Sequence, residues 1–183
     1  GDRISSMKDV SLLVVEAYFH QEEYETANAY FADYTSKGKI SPELSYRMGY
    51  AAYVSGDDSR AIAAFKQVSG DNDAITHQAS YYLGILYVKQ DNKPFAITAF
   101  GQLLDDKVNA QLREEAMYNV AKLNYEVNRT HQAIAMMREY LTEFPKGKYQ
   151  SGVSDLLTQA YFNENDYDEA LKYIETLSTY TTQ

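Results

Sequence analysis

The sequence predicts an all-α solenoid made of five helix pairs that stack on one another. Five alanines recur at intervals of 34 to 37 residues, and a turn-like polar stretch precedes each one. A large apolar side chain follows each alanine by four residues. The alanines are Ala27, Ala61, Ala96, Ala133 and Ala170, and the apolar residues are Phe31, Phe65, Phe100, Met137 and Ile174. Because a unit of this length cannot bury its own apolar face, neighbouring units must stack.

The hydrophobic pattern predicts ten helices, since apolar residues recur at helical spacing and no segment alternates as a strand would. The pairs are predicted at 8–20 with 24–36, 42–55 with 58–69, 75–90 with 93–105, 111–127 with 130–143, and 149–164 with 167–180. We therefore expect one domain over 8–180, with repeats at about 8–37, 42–70, 75–106, 111–145 and 149–180. Residues 1–7 are interpreted as a tag scar and leader, because Gly1 stands where an initiator methionine would.

The three prolines agree with these helix limits. Pro42 follows Ser41 and takes the first helical position, where a missing amide donor costs nothing. Pro94 lies in the first turn of its helix, and Pro145 follows a predicted helix end. No proline therefore interrupts the interior of a predicted helix.

Three glycines mark helix ends or close packing. Gly38 and Gly56 lie just past predicted helix ends, where a left-handed residue is common. Gly101 lies inside the sixth predicted helix, where glycine costs about 1 kcal/mol relative to alanine. We expect Gly101 to be there because of close packing.

Small residues also predict a close approach of the two helices in the three central pairs. Each pair has a small residue twelve positions before its repeating alanine, and these are Gly49, Gly84 and Ala121. Two facing small side chains let paired helices approach closely. The large residue one turn beyond the alanine would then fill the space against the next repeat.

Composition narrows the function classes. The 183 residues carry 17 Lys and Arg against 26 Asp and Glu, and the net charge of −9 disfavours nucleic-acid partners. No apolar run approaches the length of a membrane span. Cysteine is absent, which excludes disulfides and thiolate chemistry but does not choose a compartment.

The residues that usually carry chemistry form no recognisable site. His20, His77 and His131 are too far apart in sequence to form a ligand pair on one helix. No glycine-rich phosphate loop and no nucleophile elbow is present. Residues 71–73 resemble the start of a calcium loop but lack its later glycine and glutamate. We expect no enzyme activity, no metal and no cofactor.

A recurring set of residues marks the central repeats. The third repeat carries Tyr82-Leu83-Gly84 followed by Tyr87, Ala96 and Phe100. This order of Leu-Gly, Tyr, Ala and Phe resembles the tetratricopeptide repeat (TPR) family, although the family's tryptophan is missing from every repeat. The resemblance covers about residues 8–180. It implies a right-handed α-α superhelix that serves as a non-enzymatic protein–protein interaction module.

A narrower resemblance concerns residues 110–180. The segments Phe144-Pro145-Lys146-Gly147-Lys148-Tyr149 and Asn165-Asp166-Tyr167-Asp168-Glu169-Ala170 are similar to repeats of bacterial periplasmic TPR proteins. Those proteins are scaffolds or adaptors, and several carry lipid anchors. The resemblance implies a periplasmic or cell-envelope location, with the cytoplasm as the alternative, and leaves room for a lipid anchor on a missing N-terminus.

The family resemblance also implies a binding groove, because the first helix of each pair lines the concave face. Helical phase then places a tyrosine-rich stripe there. Its predicted residues are Tyr46, Tyr50, Tyr53, Tyr81, Ile85, Tyr118, Lys122 and Tyr125. We expect a peptide or helix of a protein partner to bind on these side chains. The alternative is that neighbouring helices, or a missing adjacent repeat, cover the stripe. Tyr18, Tyr87 and Tyr161 are expected to lie at packing positions instead.

A carboxylate clamp of the kind found in chaperone-binding members of the family is not predicted. Only Arg47, Asn119 and Lys122 supply suitable side chains at groove positions, and they do not reproduce the clamp. Two other functions stay open: a structural or self-associating segment of a larger multi-domain protein, which would include a homodimer, and a non-catalytic part of an enzyme.

Overall fold

The computed structural model of the chain describes residues 13–14, 16–34, 40–69, 73–105, 108–164 and 166–180. Every regular element within these ranges is a helix, so the predicted all-α fold is confirmed. The first helix, α1, is described at 13–14 and 16–20, while its predicted start and the leader lie outside the described residues. The others are α2 (Tyr24–Tyr34), α3 (Pro42–Val54), α4 (Asp58–Phe65), α5 (Asp73–Lys89), α6 (Lys93–Gly101), α7 (Ala110–Glu126), α8 (Thr130–Glu143), α9 (Gln150–Asn163) and α10 (Tyr167–Tyr180).

Two compact units make up the chain: an N-terminal unit of residues 1–86 and a C-terminal unit of residues 87–183. Within the N-terminal unit, α3 packs against both α2 and α4. Within the C-terminal unit, α7 packs against α6 and α8, and α9 packs against α8 and α10. Helices that are consecutive in the chain are therefore neighbours in space inside each unit. The single domain over 8–180 stays a prediction.

The repeating alanines lie at the centre of the helix packing. All five have no solvent exposure, and the large residues one turn later are also buried in the first four repeats. Ile174 differs, because 39 % of it is exposed. It lies on α10, the last helix described, whereas Phe31 packs on residues of the following helix, such as Leu44 and Met48.

The turns inside the helix pairs share one backbone conformation. Glu22, Gly56, Asp91 and Asn128 have φ values of 60°, 78°, 54° and 59°. In each turn the next N–H donates to the carbonyl five residues earlier, as Asp57 does to Ala52 over 2.9 Å. Such a left-handed residue with this bond ends a helix and satisfies its last carbonyls. The prediction for Gly56 is therefore confirmed, while Gly38 lies outside the described residues.

Two helices end a full turn before their predicted limits. α4 ends at Phe65 and α6 ends at Gly101, each four residues before its predicted end. Beyond these ends the chain tightens into turns, in which Val68 N–H donates to Phe65 and Leu103 N–H donates to Phe100. The turns bring Val68 and Leu103 into the interior, where both are buried. Burial of these two side chains therefore replaces the last helical turn.

The glycines correct two packing expectations. A Cβ on Gly49 would lie 2.6 Å from the ring of Phe65, so Gly49 makes room for that ring before it makes room for Ala61. Gly101 ends α6 instead of lying inside a helix, and a Cβ there would meet no atom within 4 Å. Close packing as the reason for Gly101 is therefore wrong.

A hydrogen-bond network holds the segment between α8 and α9. The Tyr140 hydroxyl donates to Glu114 Oε1 over 2.7 Å and accepts from Tyr149 N–H over 3.0 Å. Lys148 N–H donates to the same carboxylate oxygen over 2.6 Å. A Cβ on Gly147 would lie 2.5 Å from both the Glu114 oxygen and the Tyr140 hydroxyl. Only a glycine therefore fits at this point of the segment without displacing the network.

Candidate functional site

A cluster of aromatic side chains forms on one side of the N-terminal unit. We call it the N-terminal aromatic cluster and define it as Phe19, Tyr24, Tyr46, Tyr50, Tyr53, Tyr81 and Tyr82. Tyr82 is its centre, with ring centroids 4.9 Å from Tyr53 and 5.7 Å from both Tyr50 and Tyr81. On its other side Tyr82 stacks on the buried ring of Phe65 at 5.3 Å. The cluster is therefore anchored in the core of the unit.

Helix α3 sets the spacing of three members of the cluster. Tyr46, Tyr50 and Tyr53 lie at i, i+4 and i+7, which places them on one face of the helix. The start of α3 is well defined, because Ser41 accepts a hydrogen bond from Leu44 N–H over 3.2 Å. The core-facing residues of α3 then determine which way the tyrosine face points.

The first repeat extends the cluster. Tyr24, the first residue of α2, lies 5.5 Å from Tyr50 and 5.4 Å from Phe19 between ring centroids. The guanidinium of Arg47 lies 5.9 Å from the centre of the Phe19 ring and forms an ion pair with Glu16 at 2.7 Å. A run of ring contacts thus reaches from Phe19 to Tyr82 within one unit.

Burial raises the pKa of two phenols of the cluster, Tyr82 and Tyr46. Burial raises the pKa of Tyr82 to about 12, and the neighbouring tyrosines Tyr46, Tyr50 and Tyr53 contribute to the rise. Burial also raises the pKa of Tyr46, with a smaller contribution from Tyr50. At neutral pH these hydroxyls are therefore uncharged and able both to donate and to accept hydrogen bonds.

The predicted groove residues of the N-terminal unit are all half-buried. They are Tyr46, Tyr50, Tyr53, Tyr81 and Ile85. Each of the four tyrosines packs part of its ring on neighbouring rings and leaves part accessible to solvent. Packing between repeats and exposure to a partner are thus combined in the same side chains, and partner binding stays a prediction.

Tyr24 and Tyr82 belong to the cluster but are not among the predicted groove residues. Tyr82 appeared only as part of the repeat motif, although it occupies the same repeat position as Arg47 and Asn119, which were considered as groove residues. That shared repeat position could have identified Tyr82 as a groove residue. Tyr24 had no such signal, because it lies on the second helix of its pair and reaches Tyr50 only through tertiary packing.

The three predicted groove residues of the C-terminal unit lie along α7. Tyr118 stacks on Tyr149 with ring centroids 4.2 Å apart and planes 4° apart. The Tyr125 hydroxyl accepts a hydrogen bond from the Asn163 side chain. Between them Lys122 is half exposed, with its Nζ 3.9 Å from Glu126. Both tyrosines therefore contact residues of the following repeat, while the lysine remains accessible.

The remaining predicted residues have individual roles. Asn119 donates to the Glu115 carbonyl of its own helix over 2.8 Å. Tyr161 is buried, Tyr87 packs on Phe95 with ring centroids 5.3 Å apart, and Tyr18 stacks on Tyr30 at 5.6 Å. These three tyrosines lie at packing positions, as expected. Asn119 uses its amide within its own helix.

The described residues were compared with the requirements of a metal site and of a membrane-spanning helix. Among the residues described, no three His, Cys, Asp or Glu side chains come together in a group that could hold a metal ion. Within the same ranges, no helix has the length and apolar character needed to cross a membrane.

Comparisons with known proteins agree with this architecture. Tetratricopeptide repeat family profiles match residues 46–103 and 115–147. The chain is a tetratricopeptide repeat protein. Members of this family are α solenoids that typically act as non-enzymatic protein-interaction modules. No curated protein matches the sequence.

Solved structures of other TPR proteins share the fold. MamA from Desulfovibrio magneticus RS-1 aligns with a TM-score of 0.62 and 18% identity, over 94% of this chain and 93% of that chain. YrrB, described as a TPR protein with an unusual peptide-binding site, aligns with a TM-score of 0.67 and 14% identity, over 90% and 81%. A TPR protein from Parabacteroides merdae ATCC 43184 aligns with a TM-score of 0.55 and 15% identity, over 94% and 64%.

Proposed function

We propose that this TPR protein is an adaptor that binds a peptide segment or helix of a protein partner through the N-terminal aromatic cluster. The observation that carries the proposal is the array of half-buried tyrosines joined by ring contacts around Tyr82. Tyrosine offers a large apolar surface together with a hydroxyl, and it is enriched among residues that dominate interface energies. A surface of this kind suits a segment that carries both apolar side chains and backbone polar groups.

Preorganisation supports the same proposal. The rings of the cluster hold one another in place, as the stacked pair of Tyr46 and Tyr50 shows with planes 21° apart. A side chain that is already ordered loses little rotamer entropy when a partner binds. The cluster therefore presents contact area at a low entropic cost.

The row on α7 would contribute a second contact surface. Lys122 is half exposed between Tyr118 and Tyr125, whose rings are held by Tyr149 and Asn163. Aromatic contact area beside an accessible cation suits a partner segment that carries an acidic side chain. We place this row in the proposed interaction surface of the C-terminal unit.

A location in the bacterial periplasm or cell envelope is part of the proposal. It rests on the resemblance of residues 144–149 to repeats of periplasmic TPR adaptors. Fusion of the full-length gene product to alkaline phosphatase, which is active only after export, tests the location in the native host. Activity of the fusion supports the envelope, and an inactive, stable fusion supports the cytoplasm.

Alanine substitution at Tyr50 and Tyr118 tests the groove. Peptides selected from an unbiased random display library serve as the binding probe. We expect Tyr50→Ala to weaken peptides that bind the N-terminal aromatic cluster, and Tyr118→Ala to weaken peptides that bind the row on α7, each by about ten-fold or more, as for an interface hot spot. Tyr30→Ala is the matched control, because Tyr30 is exposed and lies outside the cluster. If both variants, Tyr50→Ala and Tyr118→Ala, bind the selected peptides with unchanged affinity and show normal circular dichroism, the proposal is contradicted.

Self-association is a second candidate function, and α10 favours it. Tyr167, Leu171 and Ile174 lie at i, i+4 and i+7 on this helix and are 52%, 56% and 39% exposed. An exposed apolar stripe of this kind suits a second copy of the chain. Light scattering tests it: a dimer that Leu171→Glu dissociates supports self-association, and a monomer at all concentrations contradicts it.

A further inference from the structure

A cavity of about 440 Å³ opens at one end of the N-terminal aromatic cluster. It lies between the turn that joins α1 to α2 and the C-terminal end of α3. Its lining includes Glu22, Glu23, Tyr24, Glu25 and Val54. The volume falls within the range of about 300–1,000 Å³ that is usual for ligand pockets.

Tyr24 connects this cavity to the cluster. Its ring lies in the cavity wall and also contacts the rings of Tyr50 and Phe19. Burial raises the pKa of Tyr24, and Tyr50 and the Glu22 carboxylate raise it further. Opposite the acidic residues, Val54 leaves 48% of its surface exposed. The cavity therefore has an apolar and aromatic wall that continues into the proposed interaction surface.

The charge of the cavity has one sign. Glu22, Glu23 and Glu25 are exposed, and among the described residues none of the three forms an ion pair. Two described cations of the unit form ion pairs with other carboxylates, Arg47 with Glu16 at 2.7 Å and Arg60 with Asp57 at 3.5 Å. Within the described part of the chain, the cavity thus places three carboxylates that form no ion pair there beside an aromatic face.

We propose that this cavity receives a lysine or arginine side chain of the partner peptide, whose neighbouring apolar side chains lie on the N-terminal aromatic cluster. The inference rests on the proposed function and adds the chemistry of the partner. The charged head would pair with the glutamates, and the aliphatic stem would lie along Val54 and the ring of Tyr24. A cation over a tyrosine face gains further attraction from the ring quadrupole.

Charge complementarity selects a basic peptide over other occupants. An acidic segment would meet three like charges, and a purely apolar segment would leave the glutamates without partners. A basic residue offsets the local charge and keeps the aromatic contacts. The inferred partner is therefore a segment with a lysine or arginine next to aliphatic or aromatic residues.

Matched charge variants test the inference. The triple variant Glu22→Gln, Glu23→Gln, Glu25→Gln removes three negative charges from the cavity. A control triple variant of exposed acids in the C-terminal unit, Glu139→Gln, Asp155→Asn, Asp168→Asn, changes the net charge equally. Peptides are selected from a random display library on the unmodified protein, and their affinities for all three proteins are measured by fluorescence anisotropy.

We expect the selected peptides to contain lysine or arginine beside apolar residues. Their affinity should fall by about ten-fold in the cavity variant and by less than about two-fold in the control. Replacing the basic residue of the peptide by glutamine should cause a similar loss on the unmodified protein and little further loss on the cavity variant. Affinity should also fall as salt increases, since part of it is Coulombic.

The outcomes separate the inference from the proposed function. Selected peptides that lack lysine and arginine, or whose affinity the cavity variant leaves unchanged while Tyr50→Ala weakens it, overturn the inference and leave the proposed function standing. Equal losses in the cavity variant and in the control show a general charge effect and also overturn it. Peptides that Tyr50→Ala leaves unchanged but Tyr118→Ala weakens overturn the inference alone. Selection of no peptide, or of peptides insensitive to both substitutions, overturns both.

Discussion

The two units of the chain use the same repeat position in different ways. Tyr46 in the N-terminal unit and Tyr118 in the C-terminal unit occupy equivalent places on the first helices of their pairs. Tyr46 contacts Phe65 and Tyr82 within a cluster of rings. Among the described residues, Tyr118 has a ring contact with Tyr149 alone, whose backbone N–H donates to the Tyr140 hydroxyl.

The position in the repeat therefore determines where a side chain lies, while the neighbouring side chains determine what kind of surface it forms. In the N-terminal aromatic cluster, side chains are held mainly by ring packing, where contacts are non-directional and the surface is largely apolar. Directional hydrogen bonds and ion pairs support the C-terminal unit, for example between Arg113 and Glu143 at 2.8 Å. A broad aromatic surface and a geometrically restrained one therefore arise from one repeat.

Removing the core ring of the N-terminal cluster is expected to have the largest effect. Phe65→Ala deletes a ring that is 1% exposed, stacks on Tyr82 and fills the space beside Gly49. We expect a loss of about 3–5 kcal/mol in the free energy of unfolding, measured by urea denaturation. The near-ultraviolet circular dichroism of the tyrosines should fall as well, because the cluster loses its support.

The matched change in the C-terminal unit is Met137→Ala, at the equivalent repeat position. It should cost about 2–5 kcal/mol, but it should leave the tyrosine signal of the N-terminal cluster intact. If Met137→Ala reduces the near-ultraviolet signal as much as Phe65→Ala does, the cluster does not depend on Phe65 in the way described.

A smaller loss should follow when the hydrogen-bond network of the C-terminal unit is broken. Tyr140→Phe removes a buried hydroxyl that donates to Glu114 and accepts from Tyr149 N–H. The N–H then has no protein acceptor, and we expect a loss of about 1–3 kcal/mol in the free energy of unfolding. Thermal and urea unfolding both measure it.

Tyr173→Phe serves as the control for that change. The Tyr173 hydroxyl is half-buried and donates one hydrogen bond, to Ser154 Oγ over 2.7 Å. Its loss should cost about 0.5–1.5 kcal/mol. Equal losses in the free energy of unfolding for Tyr140→Phe and Tyr173→Phe would show that the network adds no more stability than a single hydrogen bond.

The smallest expected effect is a loss of stability at alkaline pH. The pKa of Tyr82 rises from 10.0 in a free side chain to about 12, so the neutral phenol is favoured in the folded state. A raised pKa contributes stability that is fully present below pH 10.0 and is lost as the pH rises through about 12. Because Tyr82 is only partly buried, solvent screening reduces the size of the effect.

Urea denaturation at several pH values measures this dependence, and Tyr82→Phe should weaken it because phenylalanine does not ionise. Tyr167→Phe is the control, since Tyr167 is exposed on α10. A dependence that persists unchanged in Tyr82→Phe would contradict the assignment to this residue.

Much of the fold follows from local patterns in the sequence. Helical periodicity, caps and turn residues predicted every described helix, and α8 and α10 have the predicted limits. The ends of α4 and α6 were wrong because helical propensity does not reveal that Val68 and Leu103 gain more from burial in a turn. Such competition between local and tertiary preferences depends on distant residues.

The candidate site was less accessible from sequence. Helical phase identified Tyr46, Tyr50 and Tyr53 as one stripe, and the structure places their rings on one cluster. Phase alone does not show that Tyr82 lies at its centre or that Tyr24 joins it from another helix. Those contacts depend on how helices pack, because ring directions are determined by neighbours far away in sequence.

The sequence by itself determined the repeat length, the helix pairing, the buried alanines and the negative charge of the chain, because each depends on residue type and spacing alone. Tertiary packing determines which tyrosines contact one another and leaves room only for a glycine at position 147. It also decided where Glu22, Glu23 and Glu25 stand relative to an aromatic wall. These features are distances between residues brought together by packing, and spacing along the chain does not contain them.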